Sequence, residues 1–74
     1  MSVFTFEFVR TEPSGRRRHV DSAPHRLGNF GEAKMLAAAM LKHTTFLGIP
    51  ADVIVIKDEK GKLLGEVVAQ PRSF

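Results

Sequence analysis

The chain has 74 residues, 43% of them hydrophobic and 26% charged, with no cysteine and a formal net charge of +3. That length supports one small domain, and the composition argues against wholesale disorder. The missing cysteines exclude disulfides, thiolate chemistry and cysteine-ligated zinc, which leaves oligomerisation as the usual brace for so small a core.

The opening segment from Val3 to Arg10 reads as a strand. Phe4, Phe6 and Phe8 share one face, which is assigned to the core, while Thr5, Glu7 and Arg10 lie among Val3 and Val9 on the other. Glu12-Pro13-Ser14-Gly15 is turn chemistry: proline presets φ and glycine accepts the exit geometry. A second strand from Arg16 to Asp21 is expected to return along the first. With Val20 as its only apolar residue, it reads as a charged edge strand. Residues 22–28, containing Pro24, are expected to be a loop.

Asn29 offers an N-cap and Glu32 an approximate capping box, so a helix is predicted from Phe30 to about Phe46. Gly48, Ile49 and Pro50 supply its termination signals. At 100° per residue, Phe30, Ala33, Leu36, Ala37, Met40, Leu41, Thr44 and Leu47 gather on one face, which is assigned to the sheet. A weaker second stripe runs through Met35, Ala39 and Phe46; the competing explanation is the high helix propensity of alanine, with Phe46 folded over the helix end.

The last third is the most informative segment. Val53-Ile54-Val55-Ile56 and Leu63-Leu64-Gly65-Glu66-Val67-Val68-Ala69 flank Asp58-Glu59-Lys60-Gly61, a hairpin over residues 52–69. Both strands are apolar on both faces, which demands cover on two sides from a chain that offers a single helix. Two registers are compatible with the turn. A glycine-bulged turn sets Ile56 against Leu64 and Val53 against Val67; an even loop sets Ile56 against Leu63 and Ile54 against Gly65. Either way Glu66 points outward, Leu63, Val67 and Ala69 fall on the core side, and Leu64 and Val68 stay on the outer face. Residues 70–74 read as a tail.

The expected fold is α+β, in the order β-β-α-β-β: a small antiparallel or mixed sheet with one helix on one face, forming a single domain over residues 1–74. Phe4-Thr5-Phe6, Asn29-Phe30-Gly31-Glu32-Ala33 and Lys57-Asp58-Glu59-Lys60-Gly61 together give the chain a pattern that resembles a family of short uncharacterised bacterial proteins, a domain of unknown function. That family has an aromatic first strand, one capped helix and an Asp-Glu-x-Gly closing hairpin. The chain departs from the family pattern between residues 11 and 28, where it carries Arg16-Arg17-Arg18. The resemblance implies fold and bacterial origin, with no activity attached.

Two functional readings follow. The first is a non-enzymatic interaction module, a homodimer or a domain docking on a protein partner, with Val53, Val55, Leu64, Val68, Met35 and Phe46 as interface candidates. The second is a small nucleic-acid-binding or regulatory protein. Residues 10–26 hold Arg10, Arg16, Arg17, Arg18 and Arg26 against Glu12 and Asp21, so the whole charge excess sits in one segment. A regular strand would send Arg17 to the face opposite Arg16 and Arg18.

His19, Asp21 and His25 have the spacing of a weak metal-ligand run, but a polar loop explains them better. His43 suits the helix C-terminus. Glu7 and Glu66 are candidates to meet across strands, although both are explained as wet-face residues. No nucleophile elbow, P-loop or zinc-helix motif occurs, so no enzyme activity, cofactor or metal is expected. With no apolar run near ~20 residues, a membrane span is not expected either, and the chain reads as cytoplasmic.

Overall fold

The computed structural model describes residues 2–42 and 51–69. Four strands, β1 (Ser2–Thr11), β2 (Arg17–Leu27), β3 (Val53–Lys57) and β4 (Leu63–Val68), form one antiparallel sheet in the order β2-β1-β3-β4, and one helix, α1 (Phe30–Lys42), lies on it. The α+β fold in β-β-α-β-β order is as expected. Helix α1 connects β2 to β3 across β1, so the phenylalanine strand sits at the centre of the sheet.

The core forms because the sheet supplies volume and the helix supplies little. Phe4, Phe6 and Phe8 of β1, with Ile54 and Ile56 of β3, meet Ala33, Ala37 and Leu41 of α1. Small alanines let the helix axis come close, and large rings fill the layer between. Phe30, Leu36 and Met40 flank this contact, as the helical periodicity predicts. Asn29 Oδ1 accepts the Glu32 amide at 2.9 Å, and Glu32 Oε2 accepts the Gly28 amide at 2.8 Å. The box thus closes one residue earlier than its standard form, on Gly28 instead of Asn29. The predicted helical residues 43–46, including Phe46, the termination signals at 48–50, and the tail 70–74 lie outside the described residues.

Both hairpins use the same turn. In the first, the Glu12 amide donates to the Arg16 carbonyl and the Gly15 amide to the Glu12 carbonyl; in the second, Asp58 pairs with Lys62 and Gly61 with Asp58 in the same way. Gly15 (φ 89°) and Gly61 (φ 84°) both occupy the left-handed region. Asp58 Oδ1 further accepts the amides of Lys60 and Lys62.

Three expectations require correction. Residues 22–27 are strand, not loop: β2 continues to Leu27 in register with Ser2, and Pro24 stands opposite Thr5. Proline is tolerated because β2 is an edge, where a missing N–H directed to solvent costs no ladder bond. The hairpin register is neither of the two anticipated. The glycine-bulged turn pairs Lys57 with Leu63, then a second irregularity inserts Leu64, so Ile56 faces Gly65 and Val53 faces Val68. Finally, Leu63 is 60% exposed instead of core, since it lies at the bulged start of β4; Val67 and Ala69 do pack on the core.

Candidate interface and basic cluster

Strand pairing sorts the candidate side chains of the strands onto one of two sheet faces. The phenylalanines mark the helix side. Their pairing partners Ile54 and Ile56, and in turn Val67 and Gly65, share it. The outer face therefore carries Thr5, Glu7 and Val9 of β1, Val53, Val55 and Lys57 of β3, and Leu63, Glu66 and Val68 of β4, with the bulged Leu64 beside Leu63.

Two ion pairs cross this outer face. Lys57 Nζ lies 3.1 Å from Glu7 Oε2, both groups partly buried. Arg17 places its guanidinium on Glu66 in a two-pronged contact, 2.7 Å from Nη1 to Oε2 and 3.0 Å from Nη2 to Oε1. Arg17 belongs to one edge strand and Glu66 to the other, so the sheet coils until side chains from its two edges meet. Arg17 is in register with Thr11, and Glu66 with Val55. The line joining them passes over the Val9–Val53 pair. Val9 is 7% and Val53 2% exposed although both belong to the outer face. The pair raises the pKa of Arg17 through the hydrogen bond to Glu66 and its charge, and the hydrogen bond to Arg17 lowers that of Glu66.

These contacts redistribute the sequence candidates. Val53 is buried and drops out of the interface set. Val55 is half-buried. Leu64 is 37%, Val68 51% and Met35 76% exposed. Glu7 and Glu66 do not meet each other; each carboxylate has its own cation.

Leu64 and Val68 belong to β4, which pairs with β3 alone among the described strands. The two edges of the sheet differ in chemistry. β2 carries Arg17, Arg18, Pro24, Arg26 and a bulge at Val20, all features that discourage pairing. β4 reads Leu-Leu-Gly-Glu-Val-Val, with neither lysine nor proline inside it. Its bulge at Leu64 and its Glu66, engaged by Arg17, are its only brakes.

The five arginines do not form one patch. Arg10 and Arg18 stand directly opposite each other, and Arg16 closes the turn beside Glu12. Alternation puts Arg16 and Arg18 on the helix side of the hairpin and Arg17 on the outer face, as strand geometry predicts; Arg10, expected opposite the phenylalanines, shares their side instead, being an even number of residues from Phe8. Arg26 pairs with Val3 at the far end of the ladder, about 23 Å from the Arg10 row at ~3.3 Å per residue. It is separate from the cluster.

Strand geometry also disperses the histidine run. His19 is in register with Val9 on the outer face, and His25 with Phe4 on the helix face. The His25 ring lies 4.5 Å from that of Phe6, centroid to centroid, tilted by 43°, and its Nε2 is buried without a hydrogen-bond partner. Sequence reasoning missed this packing because it placed His25 in a loop. Among the described residues, no group of three or more His, Asp or Glu side chains converges as a metal site, and no helix is long and apolar enough to cross a membrane. No protein-family model, curated protein or solved structure matches the chain.

Proposed function

We propose that this chain is a non-enzymatic interaction module that self-associates, two copies pairing edge to edge through β4. The observation that carries this reading is the contrast between the two edges: β2 is guarded by charge, proline and a bulge, whereas β4 presents Leu63, Leu64 and Val68 at 60%, 37% and 51% exposure. A second copy fits this edge because antiparallel pairing about a two-fold axis sets the same apolar strand against itself. It also joins the exposed Leu64 and Val68 of both copies into one strip on the outer face, and adds burial that a 74-residue chain needs. Met35 projects from α1 away from the sheet and takes no part.

The test is sedimentation velocity across a range of concentrations for the parent and for Leu64→Lys, Val68→Lys and Met35→Lys. The reading expects a concentration-dependent dimer that both β4 variants dissociate without loss of secondary structure, while Met35→Lys dimerises normally. A parent that stays monomeric at high concentration contradicts it.

A further inference from the structure

We propose that Arg10, Arg16 and Arg18 form a binding site for the phosphate backbone of a nucleic acid, engaged without regard to base sequence. This site lies on the helix side of the β1–β2 hairpin and is independent of the β4 edge. Three observations carry it.

The first is a like-charge arrangement. Arg10 and Arg18 are direct cross-strand partners, a like-charge pairing that destabilises a sheet. Both are exposed, as is Arg16, and among the described residues no carboxylate forms an ion pair with any of them. Glu12 stands on the same face, beside Arg16, and Asp21, in register with Phe8, lies one row along it, so the five groups carry a net +1. An anion seated between the guanidinium forks offsets the repulsion and meets phosphate oxygens bidentately.

The second is spacing. Arg16 and Arg18 are two residues apart on one strand face, about 6.8 Å, and Arg10 lies about 5 Å from Arg18 across the ladder. This extended array suits successive phosphates of a chain better than one small ion.

The third is what surrounds the array. The chain has no tyrosine or tryptophan, and Phe4, Phe6 and Phe8 are buried, so nothing on this strand face stacks on bases. The hairpin tip, Pro13-Ser14-Gly15, offers no apolar side chain to insert into a lipid surface. Contact limited to the backbone is what remains.

The experiment is fluorescence anisotropy of labelled mixed-sequence duplex DNA as a function of salt. Three phosphates neutralised give a log–log salt slope near −2.7. Arg10→Ala, Arg16→Ala and Arg18→Ala should each weaken binding and reduce the slope by about 0.9. Arg26→Ala should leave both unchanged, as should Arg17→Ala, with circular dichroism confirming that each variant is folded; Glu12→Gln should tighten binding. Four outcomes overturn the proposal: no binding at low salt, a salt-independent affinity, losses for Arg26→Ala equal to those for Arg18→Ala, or full competition by phosphatidylserine vesicles or inorganic phosphate at the phosphate concentration of the DNA.

Discussion

At the residue scale, two contacts define how this chain closes its sheet. Gly65 faces the ring of Phe30, and a Cβ there would sit 2.8 Å from Phe30 Cζ. A side chain at this position forces the tip of the Phe30 ring to move. Gly65→Ala should destabilise the fold by about 1–3 kcal/mol, the range for overpacking, and trimming Phe30 to leucine should recover part of that loss in urea unfolding. Equal midpoints for parent and Gly65→Ala would contradict this packing. The second contact is Arg17 on Glu66. Because the folded-state pKa of Glu66 is lowered below its ordinary 4.5, its contribution is present above that pH and is lost as pH falls through the lowered value. Arg17, with its pKa raised further above its ordinary value by Glu66, stays charged throughout that window. Both side chains are more than a third exposed, so the effect is small and salt-sensitive. Glu66→Gln should flatten part of the acid limb of stability below pH 4.5 at low salt; parallel limbs for parent and variant would argue against the pair.

At the element scale, local signals and tertiary pairing contribute unequally. The caps and turns are legible because each rests on chemistry within five residues. Asn29→Ala should cost about 1 kcal/mol through loss of the bond to the Glu32 amide, measured by chemical denaturation; no change would mean that the cap is idle. Asp58→Ala should cost a similar ~1 kcal/mol, since its carboxylate accepts two turn amides. Strand β2 beyond Asp21 was not legible. Residues 22–27 have no period-two apolar pattern to announce a strand, and it is the pairing with the phenylalanine strand that extends them. The bulge at Leu64 was hidden for a related reason: the glycine turn sets the register at Lys57, and the fit of Gly65 under Phe30 accompanies a one-residue slip immediately after it.

At the scale of the whole molecule, the surplus of apolar outer face foreseen from the last hairpin divides in two. Part is buried within the fold, at Val9 and Val53, and the outer face is bridged by Arg17 and Glu66; no sequence pattern pairs residues 17 and 66, which are remote along the chain and on opposite edges. The rest remains exposed on β4. The five-arginine segment likewise separates into an ion-pairing residue, a distant one and a cluster of three, a division that alternation along the strand foretold for Arg17 and that only the length of β2 revealed for Arg26.

The central claim, that β4 is the surface through which two copies meet, is tested most directly by sedimentation velocity of the parent chain from low to high concentration, beside Val68→Lys. The account predicts a sedimentation coefficient that rises with concentration toward a dimer of the 8.2 kDa chain, and a Val68→Lys variant that remains monomeric and folded. A parent that sediments as a monomer throughout, or a Val68→Lys variant that dimerises as the parent does, would contradict it.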